Sequence, residues 1–318
     1  MRLYMAPLEG ITGYVFRNTY SEIYEGVDKY FTPFIVPAKK RDLRNREKKD
    51  ILPENNIGLD VVPQILTNKS DEFISVAERL REYGYKEVNI NAGCPSGTVV
   101  SKDKGAGILK DTDNLKRFLD NIFSADITID ISVKTRIGMN DGEEFYDILD
   151  IYNEYPIKEL IIHPRVREDY YKNSVNKNMF LYAYHNSRIP LIYNGDVFSI
   201  NDYEEICNTF ADINGIMMGR GILMNPQLCE DIRCNKESKP DYMRMRKFHN
   251  LLISGYADDM GSEVNAMFKM KELWTYMIRC FDVEENREMA KIYKKIRKTR
   301  DFCEYMSLAA QLFDNYCA

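Results

Sequence analysis

Short runs rich in β-branched and aromatic residues return eight times along the chain. They lie at Leu3–Ala6, Tyr30–Ile35, Val61–Leu66, Val88–Asn91, Ile129–Lys134, Leu160–His163, Leu191–Tyr193 and Gly215–Met218. Amphipathic stretches separate them, the pattern of βα units around a parallel sheet. Thr12, Asn68, Thr112, Asn140 and Ser199, whose side chains accept hydrogen bonds from free helix amides, stand where helices should begin. The runs end on, or next to, Pro7, Gln64, Asn91, Lys134, His163, Asn194 and Gly219, with Pro33 inside the second, at a mean step of about 30 residues. That step is one βα unit, and in a barrel those ends share a single rim, the active face of such folds. The sequence therefore predicts an α/β fold, a (β/α)8 TIM barrel. A doubly wound open sheet is the alternative that the pattern alone allows.

The strand signal stops near residue 235. Met267, Met270, Lys271, Trp274, Met277, Ile278 and Phe281 recur at helical spacing, as do Met289, Ile292, Tyr293 and Ile296. The polar stretch Asn235–Pro240 is the natural boundary, giving a barrel domain over 1–235 and a C-terminal helical bundle over 236–318. The first part carries 29 basic and 36 acidic residues and the second 15 and 13, so the two differ in sign within a chain of net charge −5. Seven cysteines without a CxxC pair suit reduced thiols and argue against structural zinc. No run approaches the roughly 18 apolar residues that span a bilayer, and the chain starts directly into a strand, so a cytoplasmic protein is expected.

Two glycine turns, Asn194-Gly195-Asp196 and Gly219-Arg220-Gly221, follow the last two strands, where barrels commonly hold phosphate. Lys134-Thr135-Arg136 and His163-Pro164-Arg165 end two adjacent strands, and charges at the mouth of an apolar core are costly without a ligand. An electron-rich flavin suits this cationic lining, and Gln64 could bond the opposite pyrimidine edge. Phosphate at one end and cations at the other suggest FMN. The loop Asn91–Val99 carries Cys94, a thiol mostly protonated at neutral pH and so able to act as a general acid. A nucleophilic role stays open.

Two basic runs remain. Lys39–Lys49 holds seven basic and two acidic residues, and Lys291–Arg300 holds six basic and none acidic. Either is an ordinary solvated face or a contact for a phosphodiester chain entering the rim.

The set Ala6-Pro7-Leu8-Glu9-Gly10-Ile11-Thr12, Gln64-Ile65, Asn91-Ala92-Gly93-Cys94-Pro95 with Val99, Gly105-Ala106-Gly107, Lys134-Thr135-Arg136, His163-Pro164-Arg165 and the two glycine turns resembles the tRNA-dihydrouridine synthases. Lys269-Met270-Lys271 with Leu273–Tyr276 is similar to that family's helical RNA-binding domain. The resemblance implies an FMN-dependent reduction of the C5–C6 double bond of uridine in tRNA at the expense of NADPH. NADPH reduces FMN, hydride passes to uracil C6, and Cys94 delivers a proton to C5. By matched position, Pro7, Leu8, Glu9, Gln64, Lys134, His163, Asn194, Gly195, Asp196, Gly219 and Arg220 would hold FMN, and Asn91, Arg136 and Arg165 would face the uracil or its backbone. The base must be extruded from the RNA to reach a barrel floor. Glu9 replaces a common alanine and Pro164 a small residue, which bears on RNA choice rather than on the reacting groups.

Three readings compete with this one: a ribosomal-RNA dihydrouridine synthase, an FMN barrel acting on a free pyrimidine such as dihydroorotate, and a non-catalytic RNA-binding protein that keeps the fold. No metal and no obligate protein partner are expected.

Overall fold

Pro63 divides one strand in two. The structure, a computed structural model, describes residues 1–37, 43–281 and 286–316. Its strands are β1 (Arg2–Met5), β2 (Lys29–Phe31), β3 (Val61–Val62), β4 (Gln64–Ile65), β5 (Glu87–Ala92), β6 (Asp130–Arg136), β7 (Leu160–His163), β8 (Leu191–Tyr193) and β9 (Gly215–Met218). All pairings are parallel, in the order β3-β2-β1-β9-β8-β7-β6-β5-β4. Proline has no N–H for a ladder, yet the Pro63 carbonyl still accepts from Asn89 N at 2.9 Å, so β3 and β4 act as one strand between β2 and β5. Counted so, eight strands close a ring, the (β/α)8 barrel the repeat predicts.

The last three strands begin and end where the sequence places them, and the earlier ones shift by one to four residues. Helix starts shift for a local reason. Asp111, not Thr112, accepts from Asn114 N at 3.0 Å, and Asp141, not Asn140, accepts from Glu143 N at 3.0 Å. Where polar residues stand side by side, backbone angles decide which one caps.

Tyr4, Ala6, Phe31, Val62, Ile161, Ile192 and Met217 form one buried cluster, all strand residues but Ala6, which follows β1. At the strands' N-terminal ends, Lys29 Nζ bonds Glu87 Oε2 at 3.0 Å and Glu159 Oε2 at 3.1 Å, and Tyr4 Oη donates to Glu159 at 2.8 Å. These buried charges are mutually paired, as a low-dielectric interior requires. A paired ionic cluster thus closes the barrel at the strands' N-terminal ends.

The chain packs into two units. One comprises Met1–Pro7, Asp28–Asp196 and Glu204–Met218, the barrel; the other comprises Leu8–Val27, Val197–Tyr203 and Gly219–Ala318. A cut at 235/236 does not follow this grouping, because helix Tyr14–Ile23 packs by its aromatic face: Phe16, Tyr20 and Tyr24 surround Phe248 with ring centroids 5.7, 6.3 and 5.3 Å away. Later in the second unit come helices Tyr242–Met260, Glu263–Met277, Arg287–Lys298 and Phe302–Asp314. Their core holds a closed polar chain in which Trp274 Nε1 donates to Tyr305 Oη at 2.8 Å and Tyr305 Oη meets His249 Nε2 at 2.7 Å. Burial holds His249 down at about 4, so it stays neutral. Lys271, the polar member of the expected apolar stripe, donates to the Thr299 carbonyl at the end of Arg287–Lys298. Among the described residues no helix is long and apolar enough to cross a membrane.

Candidate active site

Side chains two apart on a strand share a face, and on β5 and β6 that face is polar: Asn89 with Asn91, and Ser132 with Lys134. Asn89, Asn91 and Ser132 form a buried chain through Gln64 of β4. Asn89 Nδ2 donates to Ser132 Oγ at 2.9 Å, Gln64 Nε2 to Asn89 Oδ1 at 2.7 Å, and Asn91 Nδ2 to Gln64 Oε1 at 2.6 Å. Gln64 and Asn91, both expected at the site, are brought together. Asn89 and Ser132 were not expected there, although their two-residue spacing from Asn91 and Lys134 carried the signal.

The amide chain ends on the cysteine loop. Asn91 Oδ1 accepts from Gly93 N at 3.1 Å and Cys94 N at 2.9 Å, which fixes the turn leaving β5. From the other side Ala106 N donates to the Cys94 carbonyl at 3.0 Å. Gly105, at φ +58°, lies so close that a Cβ there would be 2.8 Å from that carbonyl and 2.9 Å from both Cys94 Cβ and Val99 Cγ1. Asn91 and the Gly105–Ala106 segment thus hold, from two sides, the backbone that carries the half-buried Cys94.

Lys134 sits across the β5–β6 ladder, paired in register with Asn91. Among the described residues its ammonium has no hydrogen-bond or ion-pair partner. Burial first, and the Arg136 guanidinium second, bring it down to about 7, against a smaller opposing pull from Cys94. A largely buried ammonium with three unused N–H donors needs an acceptor from outside the chain. An electron-rich ring with carbonyl groups supplies one, so the donor set fits a flavin.

Arg136 is nearly fully buried and spends its guanidinium on the scaffold: Nε donates to Gly93 O at 3.1 Å, Nη1 to Val166 O at 2.7 Å and Nη2 to Tyr170 O at 2.8 Å. It ties the cysteine loop to the segment after β7. That segment includes Tyr170 at φ +49°, a strained value for a bulky side chain, anchored through the carbonyl that Arg136 holds. The exposed Tyr171 beside it tilts against His163, with ring centroids 5.8 Å apart. Arg165 is likewise buried: its Nη1 lies 3.0 Å from His163 Nε2 and 3.1 Å from Asp196 Oδ1, its Nη2 pairs with Asp196 Oδ2, and its Nε donates to Asn173 O at 2.7 Å.

Asn194 Nδ2 donates to Met217 O at 2.8 Å, and at Gly195 a Cβ would come 2.7 Å from Val175 Cγ1, so a side chain there would have to displace Val175. Pro7 ends the first barrel segment. Leu8, Glu9, Gly219 and Arg220 belong to the second unit, where Leu8 N bonds Thr12 Oγ1 at 2.8 Å, Glu9 is exposed, and Arg220, preceded by Gly219, lies 5.4 Å from the Phe198 ring centre. Of the basic runs, Lys39, Lys40, Arg41 and Asp42 lie outside the described residues. Cys280, by contrast with Cys94, is structural: it donates to Met224 O at 2.6 Å, and burial pushes its thiol up to about 12.

A family model described as dihydrouridine synthase (Dus) matches residues 4–311. A probable tRNA-dihydrouridine synthase of Staphylococcus epidermidis is 27% identical over 286 residues, covering 86% of this chain and 85% of its own. A tRNA-dihydrouridine(16) synthase of Shigella flexneri is 26% identical, covering 76% of this chain and 78% of its own. Among solved structures, morphinone reductase aligns with a TM-score of 0.53 at 11% identity over 76% of this chain and 88% of its own, a likeness of fold.

Proposed function

The chain belongs to the dihydrouridine synthase family, and from that premise we propose that it reduces the C5–C6 double bond of a uridine in tRNA, with FMN as cofactor and NADPH as electron donor. The observation that carries this reading is the Lys134 ammonium, which among the described residues has no hydrogen-bond or ion-pair partner and lies on β6 opposite Asn91, where the cysteine loop begins. Bound FMN would supply the hydride, drawn from NADPH and delivered to uracil C6.

The chain's own residues do the rest. Hydride at C6 leaves negative charge on C5 and O4, so the reaction needs a proton at C5 and a positive field nearby. Cys94 is the proton donor in this reading, and the turn capped by Asn91 and packed by Gly105 aims it. Lys134 is the cation that steadies an electron-rich ring. The FMN set of Pro7, Leu8, Glu9, Gln64, Lys134, His163, Asn194, Gly195, Asp196, Gly219 and Arg220 is retained as a proposal on the family likeness. For Asn91, Arg136 and Arg165 the bonds above favour a positioning role beside the uracil over a free fork aimed at it.

We assign RNA binding to 236–318 and chemistry to 1–235. Arg287, Lys291, Lys294 and Lys298 are exposed at i, i+4, i+7 and i+11 of one helix, while Met289, Ile292 and Ile296 are buried. A line of cations along one helix face suits a phosphodiester strand. A cytoplasmic location is part of the same reading.

The test is a map of dihydrouridine in total tRNA and ribosomal RNA from cells with and without the gene. Loss at one tRNA position establishes the function and names the site. Loss confined to ribosomal RNA transfers the activity to that RNA, and no loss in either removes both.

A further inference from the structure

We propose that Asp196 and Arg165 are positioning residues that lock His163 as its neutral Nδ1–H tautomer, so that His163 meets its ligand as a hydrogen-bond donor. The argument begins with what each group can do. A guanidinium keeps its proton throughout the accessible pH range and only donates. Arg165 Nη1 has two N–H bonds: one goes to Asp196 Oδ1 at 3.1 Å, and the other faces His163 Nε2 at 3.0 Å. Facing an obligate donor, Nε2 must present its lone pair, and the ring proton then resides on Nδ1.

The rest of the arrangement removes the alternatives. Asp196 also takes Arg165 Nη2, and Asn173 O takes Nε, so the fork is fixed at three corners and cannot swing away from the imidazole. Arg165 and His163 are both buried, so water cannot readily replace either partner.

His163 ends β7, on the same rim as Lys134 and Cys94, and a neutral donor there takes an oxygen acceptor, a ring carbonyl or a phosphate oxygen. The tautomer stands on the geometry alone. Only the identity of the acceptor, a pyrimidine carbonyl of flavin or uracil, rests on the reading above. Asp196 thereby acts on His163 through Arg165, in addition to its place in the proposed FMN set.

The sequence has three histidines, which makes the test practicable. Protein labelled with 15N-histidine is studied by long-range proton–nitrogen correlation at neutral pH, with His163 identified by loss of its signals in His163→Gln. The intact protein should show Nε2 of His163 in the unprotonated range and Nδ1 in the protonated range, and FMN added to it should shift Nδ1 while Nε2 stays unprotonated. Arg165→Ala and Asp196→Asn should move Nε2 toward the averaged position of a ring exchanging between tautomers. A protonated Nε2 in the intact protein overturns the proposal, and this result needs no variant to fold. An unchanged His163 spectrum in both folded variants overturns the positioning role. Neither readout depends on RNA turnover, so a protein with the expected tautomer but no effect on dihydrouridine would fail the functional reading alone.

Discussion

Replacing Cys94 with alanine should leave flavin reduction by NADPH within a few-fold of normal while dihydrouridine formation falls by about 10²–10⁴, the usual worth of a positioned general acid. The split follows from where the thiol sits. Its backbone is fixed by Asn91, Ala106 and the close approach of Gly105, none of which uses the sulfur. The variant therefore keeps the loop and loses only the proton. Anaerobic stopped-flow reduction of the flavin, followed by nucleoside mass spectrometry of the RNA, reads the two steps separately. Near-normal product from Cys94→Ala would refute the assignment, and equal loss of both steps would show that the thiol serves the cofactor.

Lys134→Met should change activity and stability in opposite directions. Removing a preorganised cation from a site of developing negative charge costs about 10²–10³ in rate. Stability should rise, because the ammonium titrates at about 7 in the folded protein and near 10.5 when unfolded, so folding disfavours its charged form. The penalty is fully present below about pH 7 and is relieved as pH climbs toward 10.5. Allowing for the part of the side chain still solvated, the variant should gain on the order of 2 kcal/mol near pH 6.5 and little near pH 10. Denaturant unfolding of the apoprotein at several pH values tests this. A variant less stable than the parent at pH 6.5 would mean that Lys134 has a structural partner.

Most of the architecture was legible because it is local. The strands Leu160–His163, Leu191–Tyr193 and Gly215–Met218 stand where hydrophobic runs put them, and the barrel follows from counting the repeats. The polar strand residues were legible by type: Gln64 opens β4, Asn91 and Lys134 lie within one or two residues of the ends of β5 and β6, and His163 ends β7. What escaped was partnership. Sequence shows that Arg136 and Arg165 are charged, but not that one grips Gly93, Val166 and Tyr170 while the other grips Asp196, because those contacts depend on strand register. Asn89 and Ser132 were hidden inside runs read as apolar, although polar residues at a two-residue step within a buried strand are the mark of an internal network. Likewise the aromatic face of Tyr14–Ile23 was visible, but its partner Phe248 lies more than 220 residues away.

The central claim is a chemical one, that a uridine within RNA gains two hydrogens at a flavin in this barrel. The most direct measurement combines purified protein reconstituted with FMN, NADPH and unmodified tRNA under anaerobic conditions, and follows NADPH oxidation and dihydrouridine together. The account predicts one dihydrouridine formed per NADPH consumed, at a defined position, with no turnover of free uracil or dihydroorotate. Reduction of a free pyrimidine with no dihydrouridine in tRNA or ribosomal RNA would contradict it.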